Sequence, residues 1–260
     1  MIKCIILAAG YATRLYPLTE NYPKTLLKVK GKSIIDWLLC DLNTIEIIDE
    51  VIVISNHKYY KQFKNWNNNH KGIYKNLKIK IVDDGSNNNN NRLGAVKDIL
   101  FGIDSCDLKE KMNDQDALLI LAGDNLLDFS LKRFVRYYND KKETCIMKYY
   151  EDSIDKLKRT GVVVTDSKGQ VIDMQEKPVN PKSNWAVPPF YIFSKKCINL
   201  IEQSIGDKNI NLDSPGGLIE WYMKKYVVYA YEMPGKRYDI GNIESLNQVR
   251  GEYKGIINIK

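Results

Sequence analysis

The residues that could do chemistry begin at the first apolar run. Leu7-Ala8-Ala9-Gly10 ends that run in small side chains, which let backbone N–H groups approach an anion without obstruction. Arg14 follows with a planar fork suited to phosphate oxygens, and Lys24 adds a point charge from a second loop. Residue types alone leave this stretch either a phosphate cradle or an ordinary turn. Two familiar phosphate loops are absent. Gly10 is the one glycine of a turn that a G-x-G-x-x-G fingerprint would need to fill, and Gly31-Lys32-Ser33 imitates the end of a P-loop whose first glycine position is occupied by Leu26. The histidines are His57 and His70, which argues against a His-based triad or a His-rich metal centre. The five cysteines, at 4, 40, 106, 145 and 197, have no C-x-x-C spacing. They read as reduced thiols, with Cys4 and Cys40 packed as small hydrophobes.

Elements that would position these groups can be read from periodicity. Apolar, β-branched runs at 2–7, 51–54, 77–82 and 117–122 predict buried strands. Between them, Ser33 and Asp36 have the spacing of a capping box ahead of an apolar face at Trp37, Leu38, Leu42 and Ile45, so a helix starts there. Further helices are predicted at 58–66, 95–103 and 131–139. This alternation implies a mostly parallel sheet covered on both faces. The second half reads as strands at 144–149, 161–164, 171–175 and 187–193, helices at 195–204 and 215–225, a strand at 226–231 and a closing helix at 242–252. Ser214-Pro215 supports the second of those helices, since serine caps free N–H groups and proline is preorganised at the first helical position. No repeat or long linker marks a boundary, so one domain with a strand-rich second half is expected. Asn67–Asn69 reads as a polar loop, whereas the run 87–91 lies just before Arg92-Leu93-Gly94-Ala95, where part of it would border a site.

The 260 residues are 44% hydrophobic and 27% charged, which excludes wholesale disorder, collagen-like and disulfide-scaffold classes. No apolar run reaches the ~18 residues of a membrane span, and the N-terminal one is too short for a secretory signal. A cytoplasmic protein without a membrane partner is expected. A net charge of +7 suits nucleic acid, an anionic surface or a phosphorylated small molecule alike. Many lysines are scattered singly and no nucleic-acid reader motif accompanies them, so a nucleic-acid partner is not expected.

The string L-A-A-G-x-A-T-R-L-x-P-L-T over 7–19, followed by P-K-x-L-L-x-V-x-G-K over 23–32, resembles the nucleotide-binding segment of sugar-1-phosphate nucleotidylyltransferases of the glucose-1-phosphate thymidylyl- and uridylyltransferase type. Later segments fall in the family's order: Leu93-Gly94-Ala95, Ala122-Gly123-Asp124-Asn125, Thr160-Gly161-Val162-Val163, Glu176-Lys177-Pro178 and Tyr238-Asp239-Ile240-Gly241. The resemblance implies a single-domain, Rossmann-like, three-layer α/β/α nucleotidyltransferase fold over 1–260. It has a mostly parallel mixed sheet, with 1–130 mainly nucleotide-binding and 131–260 a strand-rich, mainly sugar-phosphate-binding portion.

The implied reaction joins a sugar-phosphate oxygen to the α-phosphorus of an NTP and expels pyrophosphate. A phosphate monoester, with a second pKa of ~6, is already an anionic nucleophile at neutral pH, so no general base is needed. The work left is positioning and charge neutralisation, which fits lysine, arginine and aspartate rather than histidine. Asp124 alone reads as a turn residue and Asp239 alone as a cap before the last helix. Together they make a hard oxygen site for Mg²⁺, and in the family the matching aspartates hold the metal.

By the same resemblance Leu7, Ala8, Ala9, Gly10, Arg14, Gly94 and Asp124 bind the nucleotide, Arg14 steadies the leaving pyrophosphate and Lys24 stands beside both phosphates. Lys177 grips the sugar phosphate, Glu176 the sugar hydroxyls, and Gly161 brings backbone close to the sugar. Arg14, Lys24, Asp124 and Lys177 are thus the catalytic set. The implied partners are an NTP (dTTP, UTP or CTP) and a sugar 1-phosphate, with a homo-oligomer compatible.

Departures from the pattern are Pro189 where relatives carry a glycine in the turn lining the sugar pocket, Thr25 after Lys24, and Arg92-Leu93-Gly94 in the base loop. They leave open a cytidylyltransferase acting on a non-sugar phosphorylated alcohol, and a catalytically inactive nucleotide-binding regulator. The chain length leads to the expectation of a stand-alone transferase without a β-helix acyltransferase module.

Overall fold

The computed structural model describes residues 1–207 and 210–257. In chain order its elements are β1 (Ile2–Leu7), β2 (Lys28–Val29), β3 (Lys32–Ser33), α1 (Ile34–Leu42), β4 (Ile48–Ser55), α2 (His57–Asn69), β5 (Lys78–Asp83), α3 (Ala95–Asp104), α4 (Leu108–Lys111) and β6 (Ala117–Ala122). There follow β7 (Asn125–Leu127), α5 (Lys132–Lys141), β8 (Thr144–Tyr150), α6 (Ile154–Leu157), β9 (Gly161–Thr165), β10 (Val171–Glu176), β11 (Trp185–Val187) and β12 (Phe190–Ser194). The last are α7 (Lys195–Ile205), α8 (Pro215–Tyr222), β13 (Val228–Glu232), β14 (Arg237–Asp239) and α9 (Ile243–Glu252). This is an α/β fold with a mixed sheet and flanking helices, as expected. The chain clusters into two compact units. One comprises Met1–Arg92, Ala122–Lys132 and the described residues of Pro234–Lys260; the other comprises Leu93–Leu121 and the described residues of Arg133–Met233. Their boundaries do not follow the halves 1–130 and 131–260.

In the first unit β1, β4 and β5 pair in parallel in that order. Their isoleucines and valines are enclosed, Ile5, Ile6, Ile52 and Val53 at 0% exposure, each such side chain contributing about 1.5–3 kcal/mol by leaving water. Helix α2 packs against β4 and β5. The capping box before α1 is present: Ser33 Oγ accepts from the Asp36 N–H while Asp36 accepts from the Ser33 N–H at 3.1 Å. A second apolar cluster joins Leu15, Leu27, Ile34, Leu126, Ile240, Leu246 and Tyr253. It anchors the short antiparallel pair of β7 with β14, neither of which periodicity indicated.

The second unit has strand order β10-β9-β11-β8-β12-β6, antiparallel throughout, with β13 added parallel to β8. The single strand expected at 187–193 is two. Ala186 lies opposite Tyr149 and Tyr191 opposite Ile146, so the six residues 186–191 face the four residues 146–149. Pro188 and Pro189, which have no N–H to offer a ladder, occupy the surplus. Helix α8 ends at Tyr222 rather than 225, and β13 begins at Val228 rather than 226. The Ser214 cap and Pro215 at the helix start are as predicted. All five cysteines are free; Cys40 is half-buried instead of packed in the core and receives a bond from Lys32 Nζ at 3.4 Å.

Candidate active site

The loop after β1 is held from below. The Ala8 N–H donates to Ile54 O at 2.9 Å, and the buried Asn56 side chain donates to Ala9 O at 2.8 Å while accepting from the Tyr59 N–H at the start of α2. Tyr11 is buried and bonds Ser86 Oγ at 3.1 Å. Ala12 takes a left-handed conformation, φ 47°, and its carbonyl accepts from Thr19 Oγ and from the Leu15 N–H. Gly10 is exposed, and nothing within the protein lies within 4 Å of where a β-carbon would stand. Packing therefore does not demand that glycine, and the space above it is open to a ligand. Arg14 is exposed on the short 3₁₀ helix Thr13–Leu15. The Asn87–Asn91 run belongs to the first unit and is an exposed turn closed on itself, Asn91 Oδ1 accepting from the N–H groups of Asn87 and Asn88.

Lys24 sits on a second 3₁₀ turn, Lys24–Leu26, with its side chain only 10% exposed, and its Nζ meets Asp124 Oδ2 at 2.6 Å. Asp124 follows the Gly123 bend, where the Gly123 N–H donates to Leu7 O and a β-carbon would collide with Ile6 Cγ2 at 2.8 Å. Asn125 donates to Asp124 Oδ1 at 2.8 Å and accepts from Arg237 Nη1 at 2.7 Å. Burial alone would raise the Asp124 carboxyl, but the Lys24 charge and hydrogen bond, with Arg237 behind them, hold it below the usual carboxylate range. Asp239 lies directly opposite Asn125 across β7 and β14, with Oδ2 3.8 Å from Arg237 Nη1. Asp239 thus ends β14 opposite Asn125, the residue that follows Asp124. Asn56, Asn125 and Arg237 were missed. Arg237 and Asp239 are two apart on a strand and so share a face, which is the signal that would have found Arg237.

Glu176, Lys177, Gly161 and Gly94 belong to the second unit. Gly161 pairs with Glu176 across β9 and β10, and a β-carbon there would come 3.2 Å from Glu176 Oε2. The Glu176 carboxylate sits at the start of α8, bonded by Ser214 and crowding Gly216, while its backbone N–H donates to Glu220 Oε2 at 3.2 Å. Lys177 is exposed and adopts a left-handed φ of 51° directly before Pro178, with its N–H bonded to Thr160 O. That conformation costs a non-glycine residue about 1–2 kcal/mol, and such strain gathers where a side chain is being aimed. Gly94, φ 89°, has its own packing reason: a β-carbon would meet Leu212 O at 3.0 Å and Asp213 Oδ1 at 3.1 Å.

Burial drives the Glu176 carboxyl above its ordinary value; Ser214 and Lys177 pull it down and Glu220 pushes it up. A carboxyl raised on folding stabilises the chain while protonated, and that contribution is lost as pH rises through the folded value. Glu176→Gln is therefore expected to unfold at the wild-type temperature in acid and at a higher temperature near neutral pH. Thermal melts across pH check this, and a lower melting temperature at neutral pH would contradict it.

With that geometry in place, comparison with known proteins defines the class. A model of the nucleotidyl transferase family matches residues 3–254. The chain belongs to this family. It is similar to the bifunctional protein GlmU of Methanocaldococcus jannaschii, 31% identical over 206 residues that cover 78% of this chain and 42% of the relative. It is also similar to a glucose-1-phosphate adenylyltransferase of Fervidobacterium nodosum, 30% identical over 256 residues, 93% of this chain and 58% of the relative. The chain spans about half the length of these curated relatives. Among solved structures, a UDP-glucose pyrophosphorylase complexed with UDP-glucose aligns over 97% of this chain and 98% of its own with a TM-score of 0.79 at 22% identity, a shared fold. No helix among the described residues is long and apolar enough to cross a membrane.

Proposed function

We propose that the chain transfers a nucleotidyl group from an NTP to a sugar 1-phosphate, giving an NDP-sugar and pyrophosphate. The observation that carries this reading is the chain of contacts Lys24–Asp124–Asn125–Arg237–Asp239, which gathers cations and carboxylates beside the open Gly10 loop. An oxygen of the sugar phosphate attacks the α-phosphorus, the bond from that phosphorus to the bridging oxygen breaks, and pyrophosphate leaves with the electron pair. Leu7 to Gly10 form the floor for the nucleotide phosphates. Lys24 offsets the repulsion between the two anions, and Arg14 stabilises the leaving pyrophosphate. Lys177 holds the sugar phosphate, Glu176 the sugar hydroxyls, and Gly161 keeps the strand clear of a side chain. Gly94 lies in the segment that approaches the base.

Asp124 and Asp239 would hold Mg²⁺. The donor set fits its chemistry: two hard carboxylates, one already carrying an ammonium. Mg²⁺ usually takes one or two carboxylates and fills its other positions with water and substrate phosphates. Bound there, it supplies further neutralisation of the phosphate charge.

A screen of the four common NTPs and dTTP against a panel of sugar 1-phosphates, with products identified by mass, tests the reading. An NDP-sugar with stoichiometric pyrophosphate is expected, with dTTP, UTP or CTP as donor. Nucleotide binding without pyrophosphate release across the whole panel would point to a regulator instead. Arg14→Ala is expected to lower kcat by about 10²–10³. Normal turnover in that variant would remove Arg14 from the leaving-group role.

A further inference from the structure

A cavity of about 380 Å³ lies within the first unit, and its lining includes none of the residues from Arg14, Lys24, Asp124, Asn125, Arg237 or Asp239. One wall is a face of α2. Gln62, Asn65, Trp66 and Asn69 recur at helical spacing and all line the space. Tyr22 and Leu26 line it from the segment that carries Lys24. Leu26 shares its single 3₁₀ turn with Lys24, and Gln62 Nε2 ties α2 to that segment through Asn21 O at 3.1 Å. The size falls at the small end of small-molecule pockets.

The chemistry of the lining selects a class of ligand. Asp36, the one carboxylate in the lining, is already compensated: it accepts from the Ser33 N–H and Oγ, from Trp66 Nε1 at 3.1 Å and from Tyr74 Oη at 2.8 Å, with His70 Nε2 3.6 Å away. His70 Nδ1 lies 2.7 Å from Trp66 O, an acceptor, and so carries its proton towards the helix backbone. What faces a ligand is therefore the Lys28 ammonium, which only donates, and a set of three amides, each able to donate and to accept. Gln62 Oε1 is buried and has no hydrogen-bond partner in the protein, a condition that native structures normally relieve with water or a ligand. Trp66 is only 7% exposed, which leaves little ring face for a flat base to stack on. Hydroxyl arrays match such amides because each hydroxyl also donates and accepts.

We infer that this cavity is a second ligand site, taking a polyhydroxylated molecule of monosaccharide size, and that one of its walls is the turn that presents Lys24.

The test follows the Trp66 indole N–H in a ¹⁵N–¹H spectrum of the whole chain, assigned with Trp66→Phe, during titration with glucose, N-acetylglucosamine and sorbitol in turn. A saturable movement with at least one of the three is expected. Movement with the two sugars alone assigns a ring sugar, and movement with sorbitol an open polyol. Asn65→Leu is expected to weaken the response at least about tenfold, because a hydroxyl-binding site that loses an amide leaves the ligand's groups unpaired. Glu176→Gln, in the other unit, is expected to leave it unchanged, which separates this site from a free sugar entering the proposed sugar-phosphate position. Should Asn65→Leu lose its dispersed spectrum, Asn69→Leu carries the same expectation. The inference fails if none of the three compounds moves the signal saturably, or if the folded leucine variants respond like the wild type.

Discussion

Asp124→Asn is expected to lower pyrophosphate-forming turnover by about three orders of magnitude, because the amide keeps the shape of the side chain and deletes the charge that faces Lys24 and the proposed Mg²⁺. The same change leaves Lys24, 10% exposed, without its counter-charge. Removing one partner of a buried pair is costly, but 37% of the Asp124 side chain reaches solvent, so the loss in stability is expected at about 1–3 kcal/mol rather than that of an enclosed pair. The sign with pH is fixed by the lowered carboxyl: its stabilising contribution is present above the unfolded value and disappears as pH falls through the folded one. Wild type and variant should therefore differ in melting temperature near neutral pH and converge in strong acid. Rates of pyrophosphate release, with thermal melts at each pH, decide it. Turnover within tenfold of wild type would remove Asp124 from the reaction.

Gly216→Ala is expected to raise the KM for the sugar 1-phosphate by about 10–100-fold while the protein stays folded. A β-carbon at 216 would overlap Glu176 Oε2 and come within 2.9 Å of Glu176 Cδ. Both atoms belong to the end of a flexible side chain, so the carboxylate moves and the backbone need not. Displacing a charged hydrogen-bonding group from a ligand costs about 1.5–3 kcal/mol of affinity, and alanine in place of glycine favours the helix. Its neighbour supplies the contrast. At Gly217 the added carbon would run into the backbone carbonyl of Asn211, which cannot swing away, so Gly217→Ala is expected to destabilise by about 1–3 kcal/mol. A Gly216→Ala enzyme with unchanged KM would show that Glu176 does not hold the sugar.

Much of this arrangement was legible in the residue order, and the parts that were not share a cause. The β1 and β4 runs are long enough for composition to declare them, and Ser33 with Asp36 or Ser214 with Pro215 are local signals whose partners lie within three residues. The strands β7 and β14 have three residues each, too few to show alternation, so the pairing that sets Asp239 opposite Asn125 had no local trace. The same holds for Asn56, which caps α2 and also clamps Ala9, and for Gly216, whose missing side chain makes room for a residue 40 positions earlier. The Pro188-Pro189 step was visible as a pair of prolines. Its effect depends on β11 and β12 both lying along β8, which no single strand announces.

The return of the described residues from Pro234 onward to the first unit imposes an order on biosynthesis. A ribosome-bound chain that has exposed β1, β4, β5 and Asp124 still lacks β14, Asp239 and the aromatic ring of Tyr253 that closes their cluster. The nascent chain can therefore display Arg14 and Lys24 early, but it gains its second acidic group only after 133–233 of the second unit has been made, so under the proposed roles products that stop before β14 are expected to be catalytically silent.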